Sequence, residues 1–227
     1  CVVRVNMSIT QGPRAGFYVD GFNLYHAIND LQKPYLKWVS LKRLAERSLK
    51  PYRAKLVETV FCTAYFPGDF DKRKRHEAYI AAQAAEGTKV VLGHSIHEPA
   101  SCRGCGREWR QPREKETDIN VALSLFDAAK SGRIDLAFLV TADTDQAATL
   151  KFLQRTCPEV ETVVLTPPGR ATSSHLKNVA GKASKLSETD IDLSILPSME
   201  QPAEGRLITR PPQYAPPPGW VHPDERQ

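Results

Sequence analysis

Short apolar runs alternate along the chain with longer segments in which apolar residues recur at helical spacing. The runs that are typical of strands occupy residues 16–19, 55–65, 89–92, 135–141 and 161–165. The segments that have the period of helices occupy residues 24–30, 41–48, 70–86, 116–129, 144–154 and 173–179. This alternation predicts an α/β fold, a three-layer α/β/α sandwich with a central parallel sheet.

Two stretches interrupt the alternation. Residues 93–113 show no sustained period, and we interpret them as a small irregular insertion that carries Cys and His residues. From residue 197 onward proline is frequent, which predicts a disordered tail or linker over residues 197–227 because such a sequence cannot pack a core. The folded domain is therefore expected at residues 15–196. In the helix at 116–129, the spacing of Ile119, Leu123 and Phe126 predicts that these three side chains face the core.

Composition and charge narrow the class of protein. The chain has no run of eighteen apolar residues, so no membrane-spanning helix is predicted, and no basic and apolar N-terminal segment indicates secretion. Five cysteines in 227 residues do not make a disulfide framework, so we expect a reducing, cytoplasmic setting. The net charge of +5 fits a polyanionic partner.

Acidic residues stand at the points where predicted strands end or helices begin. Asp20 follows the first strand, Asp143 and Asp145 follow the strand at 135–141, and Asp118 opens a helix. Because ligands of open α/β sheets bind beyond the carboxyl ends of the strands, these carboxylates are expected to meet in one crevice. Clustered carboxylates need cations, and such hard oxygen ligands suit Mg²⁺ or Mn²⁺. Asn23 and Thr141 are expected to support the site as neighbouring polar groups that position the phosphate or a metal-bound water.

Each acidic residue also has a purely structural interpretation. Asp20 with Gly21 makes a common turn, Asp118 can favour the start of a helix, and Asp143 and Asp145 can cap the next one. For a single residue the structural interpretation is the better one. The joint placement of all of them favours a catalytic site, in which Asp145 is expected to hold the metal ligands in place or to bind a second metal ion.

Three ordered motifs resemble the NYN domain family, the LabA-like branch of the PIN-like nuclease superfamily. They are residues 19–24 (VDGFNL), 115–123 (KETDINVAL) and 139–145 (LVTADTD). The resemblance covers roughly residues 15–195. It implies a PIN-like fold, a metal-dependent ribonuclease activity, Asp20, Asp118 and Asp143 as metal ligands, and family positions for Asp145, Asn23 and Thr141. Two residues depart from the family pattern, Ala142 where it has glycine and Gln146 where it has an aromatic residue, which affects loop geometry rather than the carboxylates.

The insertion contains a CxxC followed by glycine, Cys102 to Gly106, which has the form of a metal knuckle. Structural zinc needs four ligands, and His94 and His97 lie just upstream. We therefore predict a structural zinc on His94, His97, Cys102 and Cys105, which requires the strand to end or twist between the histidines. The alternatives are ligands from Cys62, His76 or another chain, or simply free thiols and surface histidines.

Cations and one aromatic residue follow the CxxC. If the insertion is a flap that contacts nucleic acid, its binding residues are Arg103, Arg107, Trp109, Arg110 and Arg113. The ordinary alternative is a solvated loop with Trp109 packed beneath it. No sequence motif supports acyl transfer, NTP hydrolysis or dinucleotide redox chemistry.

Two functions follow from these interpretations. The first is a Mg²⁺- or Mn²⁺-dependent endoribonuclease that acts on single-stranded or structured RNA. The second is a non-catalytic RNA-binding or scaffold module that uses the same crevice. The sequence does not specify the oligomeric state, and the Pro-rich tail is a candidate segment for a protein partner.

Overall fold

The computed structural model describes residues 12–65, 68–202 and 205–226. Its strands are β1 (Arg14–Asp20), β2 (Lys55–Thr63), β3 (Lys89–Leu92), β4 (His94–Ser101), β5 (Glu108–Lys115), β6 (Leu136–Val140), β7 (Glu161–Thr166), β8 (Lys182–Lys185), β9 (Met199–Glu200) and β10 (Ile208–Thr209). Its α-helices are α1 (Gly21–Asp30), α2 (Leu41–Leu49), α3 (Phe70–Ala85), α4 (Thr117–Lys130), α5 (Gln146–Thr156), α6 (Ser174–Val179) and α7 (Glu188–Asp192). Short 3₁₀ turns lie at Pro34–Trp38, Lys50–Tyr52, Pro212–Tyr214 and Pro223–Glu225. None of the described helices is long and apolar enough to cross a membrane.

Six strands form one parallel sheet in the order β3-β2-β1-β6-β7-β8. The chain moves outward from β1 through β2 to β3, then returns to place β6 on the other side of β1 and continues outward to β8. The strand order therefore reverses between β1 and β6. In open α/β sheets this reversal opens a crevice at the carboxyl ends of the two strands.

Each face of the sheet is covered by its own apolar core. Phe17 and Phe138 point to one face, where they pack with residues of α2 and with Trp38. Tyr18 and Leu139, the next residues along the same two strands, point to the other face and pack with α4 and α5. Successive strand residues face opposite sides, so both faces of these central strands are buried. This confirms the predicted three-layer α/β/α arrangement with a central parallel sheet.

The row of residues that α4 buries against the sheet, its buried stripe, differs from the predicted one. Ile119 is 61% exposed and Leu123 is 60% exposed, while Val121 and Leu125 are fully buried. Phe126 is only partly buried and stacks edge-on against Phe152. Both stripes have helical spacing, so periodicity alone does not choose between them. The stripe that packs on the sheet ends in two small residues, Ala128 and Ala129, which let the helix approach the strands closely.

Residues 93–113, which we expected to be irregular, contain a regular β-hairpin. Strands β4 and β5 pair with each other in an antiparallel sheet of their own, from His94 opposite Lys115 to Ser101 opposite Glu108. We call this hairpin, residues 94–115, the arm. Most of its residues are at least partly exposed, on both faces of the hairpin. Its sequence therefore lacks the alternation of apolar and polar residues that marks a half-buried strand.

The expectation of disorder for residues 197–227 does not hold for the part of this segment that the structure describes. Tyr214 is buried in the core on the α2 side of the sheet, and Trp220 packs edge-on against Tyr35. The indole N–H of Trp220 donates to Asp192 Oδ1 at 2.7 Å, and Arg43 pairs with Asp224 at 2.8 Å. High proline content therefore coexists with packing here, because aromatic side chains spaced along the segment anchor it to the domain.

Candidate active site

Asp20 is the most deeply buried of the predicted site residues that carry a carboxylate. It ends β1, is 3% exposed, and caps α1 by accepting a hydrogen bond from the backbone N–H of Asn23 at 3.0 Å. Its second oxygen accepts a hydrogen bond from the hydroxyl of Thr141 at 3.1 Å. Burial raises the pKa of Asp20 to about 6, and the nearby charges of Asp118 and Asp143 add to that effect.

The loop after β6 is fixed to the first turn of α1. The side-chain oxygen of Asn23 accepts a hydrogen bond from the backbone N–H of Ala142 at 2.9 Å. The hydroxyl of Thr141 accepts one from the N–H of Asp143 at 3.0 Å, and Asp143 Oδ1 accepts one from the N–H of Asp145 at 2.9 Å. Asn23 and Thr141 therefore support the loop, and they hold Asp143 beside Asp20.

Asp118 reaches the same place from a third segment. It lies in the first turn of α4, where the side chain of Gln146 hydrogen-bonds to its carboxylate and donates to its backbone oxygen at 3.2 Å. Burial, then the charges of Asp143 and Glu114, raise the pKa of Asp118. Just before it, Glu116 has the left-handed conformation with φ 76°, which is uncommon outside glycine and turns the chain sharply from β5 into α4.

These residues line an open crevice of about 790 Å³ at the switch point between β1 and β6. Its lining is Asp20, Phe22, Asn23, His26, Glu114, Asp118, Ala142, Asp143 and Arg170. Four predicted site residues thus come together there: Asp20, Asn23, Asp118 and Asp143. Thr141 lies fully buried behind Asp20, and Asp145 is exposed and does not line the crevice. The assignment of Asp145 to a more distant role agrees with this placement.

Two residues of the crevice, Glu114 and Arg170, were not among the site residues expected from the sequence. Glu114 accepts a hydrogen bond from the N–H of Thr117 at 2.7 Å, so it caps the start of α4 while facing the crevice. No spacing marked it in the sequence, because Glu114 stands three positions before α4, whereas an N-cap residue directly precedes its helix. Arg170 follows β7, pairs with Asp30 at 2.5 Å, and brings a cation to the acidic crevice.

The donor set of the crevice fits a hard divalent cation. In the described part of the chain no group of three His, Cys, Asp or Glu residues is close enough together to hold a metal ion. Mg²⁺, however, keeps several waters and is commonly bound through one or two carboxylates. Burial is the main reason that the pKa values of Asp20 and Asp118 are raised, and repulsion between the neighbouring carboxylates adds to the effect. A cation would relieve that repulsion, and each oxygen of Asp20 retains a free lone pair for it.

The predicted zinc set is not brought together. His94 and His97 lie in the regular strand β4 three residues apart, so their side chains point to opposite faces. Cys102 and Cys105 lie at the tip of the arm, and eight residues of strand separate Cys102 from His94, about 26 Å. His94 instead pairs with Glu116, with 3.0 Å between Nδ1 and Oε2.

The two cysteines nevertheless adopt a knuckle-like turn. The N–H of Gly106 donates to the carbonyl of Cys102 at 2.9 Å, and Gly106 has a positive φ of 69°. Backbone N–H groups of Cys105 and Gly104 point at the Cys102 sulfur and lower the pKa of this thiol. The turn therefore holds the two thiols close together at the tip of the arm.

The proposed nucleic-acid contacts are exposed along the arm but do not share one face. Trp109, which is 44% exposed, and Arg113 lie on the same face of β5, and Arg113 pairs with Glu98 at 3.3 Å. Arg110 lies on the opposite face, where it donates to the carbonyl of His97 at 3.0 Å. Arg103 and Arg107 flank the turn at the tip. The arm joins α4 directly, so its base adjoins Asp118 and the crevice.

Comparisons with known proteins bear mainly on the fold. No family model matches the chain. Over 177 residues the chain is 26% identical to 6-hydroxy-3-succinoylpyridine 3-monooxygenase from Pseudomonas putida, a match that covers 62% of this chain and 55% of that protein. The chain thus spans about half the length of this relative. A crystal structure of a protein of unknown function from Vibrio parahaemolyticus is similar with a TM-score of 0.51 and 17% identity, covering 82% of this chain and 98% of that one. The chain therefore shares its α/β/α fold with a protein whose own activity is not assigned.

Proposed function

We propose that the chain is a metal-dependent endoribonuclease of the NYN, PIN-like kind. The observation that carries this proposal is the convergence of Asp20, Asp118 and Asp143 from three separate segments on one crevice at the sheet switch point. Burial and the repulsion between neighbouring carboxylates both raise the pKa of Asp20 and of Asp118, so the ionised cluster is costly in the metal-free protein, and a bound cation would offset that cost. The sequence motifs that resemble the NYN family contain these same residues.

Each residue of the cluster has a distinct part in this proposal. Asp20, Asp118 and Asp143 would hold the cation, with Asp20 oriented by the N–H of Asn23 and the hydroxyl of Thr141. Gln146 orients Asp118. Arg170 offers a guanidinium at the rim, which suits a phosphate oxygen of the substrate. A bound Mg²⁺ or Mn²⁺ supplies the Lewis acid that activates water and offsets charge on the scissile phosphate.

The arm supplies the contact with the RNA backbone in this proposal. Arg103 and Arg107 are exposed at its tip, and Trp109 offers a stacking surface next to them. Binding of single-stranded RNA weakens with salt by a slope of about 0.7 for each neutralised phosphate. Replacing both Arg103 and Arg107 by Gln should therefore reduce that slope by about 1.4, measured by fluorescence anisotropy over a range of salt concentrations.

The decisive experiment is cleavage of a mixed panel of RNA and DNA strands with and without Mn²⁺. We expect Mn²⁺-dependent cuts within RNA, and loss of cleavage by at least about a hundredfold in Asp20→Asn and in Asp143→Asn. Asp135→Asn is the matched control, because Asp135 lies at the opposite end of the sheet and pairs with Arg14. Full activity of the two crevice variants, after exclusion of a contaminating nuclease, would refute the assignment.

A non-catalytic RNA-binding module is the second candidate, and one observation favours it. No three potential ligands already stand at metal-binding distance in the described residues, so the crevice is not preassembled for an ion. This candidate predicts salt-dependent RNA binding without metal-stimulated cleavage. The same panel distinguishes the two, because strands bound but left intact by the unmodified protein support the module.

An oxygenase acting on a hydroxypyridine is a third candidate, favoured by the relative from Pseudomonas putida. It predicts oxygen uptake when 6-hydroxy-3-succinoylpyridine and a reductant are added together. An oxygen-electrode measurement tests it directly. Substrate-dependent uptake with no cleavage of RNA would replace the ribonuclease proposal.

A further inference from the structure

The first turns of α1 separate the acidic crevice from a second pocket. It has an empty volume of about 860 Å³, open to solvent, and a mainly apolar lining that includes Leu24, Ile28, Phe61, Tyr79 and Tyr214. Phe22 and His26 line both the pocket and the crevice. The two cavities are therefore neighbours that share a wall formed by these two side chains.

One part of the pocket lining combines an aromatic ring with two cations. Lys37 Nζ lies 5.1 Å and Lys72 Nζ 5.3 Å from the centre of the Tyr25 ring, and all three residues line the pocket. Burial, then the charges of Lys72 and Arg75, lower the pKa of Lys37. A site with this lining favours a flat, polarisable ligand that carries hydrogen-bond acceptors at its edge.

We propose that this pocket holds the base of the nucleotide next to the scissile phosphate. The proposal rests on the ribonuclease function and specifies its substrate contact. A nucleotide carries its base one sugar away from its phosphate, and the crevice and the pocket are one side chain apart. The base stacks on Phe22 and packs beside Tyr25, whose ring carries the two lysines, so that its carbonyl and ring-nitrogen acceptors face Lys37 and Lys72.

The test compares intact RNA with RNA that lacks one base. The probes are fluorescein-labelled RNA hexamers, one intact and six that each carry an abasic nucleoside at a different position. Ca²⁺ replaces Mg²⁺ so that the RNA is not cleaved during the binding measurement. We expect one abasic position to weaken binding to the unmodified protein about tenfold, the loss of one stacked base. Tyr25→Leu should weaken binding of intact RNA by a similar factor and remove the difference between the two strands.

Control variants distinguish a failure of the pocket proposal from a failure of the ribonuclease proposal. Phe152→Leu is the matched control, because Phe152 is a partly exposed aromatic residue on α5, outside both cavities. This variant should still bind intact RNA more tightly than abasic RNA. If Tyr25→Leu does not fold, Lys37→Met tests the same pocket, with an expected loss of about fivefold on intact RNA. If the unmodified protein cuts RNA normally while Tyr25→Leu and Lys37→Met still bind intact RNA more tightly than abasic RNA, the pocket proposal alone is overturned. If the unmodified protein neither binds nor cuts RNA, both proposals are overturned.

Discussion

The buried carboxylate of Asp20 should make the metal-free fold less stable at neutral pH, and its replacement by Asn should reverse that. The folded-state pKa of Asp20 is about 6, compared with a usual value of 3.8. The folded protein therefore binds this proton more tightly than the unfolded chain, so stability falls as the pH rises through this interval. A difference of this size corresponds to about 3 kcal/mol above pH 7, and to roughly half of that at pH 5.

The amide of Asn in place of Asp20 removes this cost but fits its partners less well. It can still accept from the N–H of Asn23, while the hydroxyl of Thr141 loses its acceptor. We subtract about 1 kcal/mol for that hydrogen bond. Asp20→Asn should then be more stable than the unmodified protein by about 2 kcal/mol at pH 7.5, a rise in Tm of roughly 4–8 °C.

Urea unfolding in EDTA at pH 5 and pH 7.5 measures this effect as a difference between the two proteins. Asp135→Asn serves as a control of opposite sign, because hydrogen bonds from Arg14 hold the pKa of Asp135 at about 2 and the substitution removes a favourable charge. Mg²⁺ should narrow the gap by stabilising the unmodified protein. Equal stability of Asp20→Asn and the unmodified protein at pH 7.5, or a gain that does not shrink at pH 5, would refute the reasoning.

Three further outcomes are expected. Gln146→Ala should reduce cleavage about tenfold while strand affinity stays the same, because Gln146 orients Asp118 without facing the RNA; a reduced affinity with an unchanged rate would contradict this. Leu125→Ala should cost about 2–5 kcal/mol in urea unfolding, whereas Leu123→Gln on the exposed face of α4 should change stability by less than about 0.5 kcal/mol. Trp220→Ala should destabilise the fold by about 2 kcal/mol, since it removes a ring contact and a hydrogen bond; an unchanged urea midpoint would show that the C-terminal segment does not support the core.

The sheet and the position of the acidic residues could be predicted because both follow from chain-local patterns. Strands such as Leu136–Val140 are fully buried on both faces and therefore read as continuous apolar runs. Once the sheet is parallel, Asp20 and Asp143 must emerge at the same edge. That rule, rather than any feature of a single residue, brought the carboxylates together before their geometry was known.

The buried face of α4 and the pairing of the arm could not be predicted, because the sequence is compatible with more than one arrangement of each. On α4 two stripes had helical spacing, and the stripe containing Val121 and Leu125 packs on the sheet because its small neighbours permit close approach. The arm has polar residues on both faces, so its strands carry no alternation to detect. Its regular pairing then separates His94 from Cys102, which no count of residues between ligands reveals.

The packing of the C-terminal segment has a consequence for how the protein is made. Tyr214 and Trp220 complete the core around Tyr35 and Trp38, residues that leave the ribosome almost 180 positions earlier. Until they emerge, that apolar surface stays open to solvent, to chaperones and to neighbouring nascent chains. A premature stop anywhere between β8 and residue 214 would thus release a chain with a complete six-stranded sheet and an uncovered apolar flank. Such products should be cleared by proteolysis rather than accumulate as a shortened but working domain.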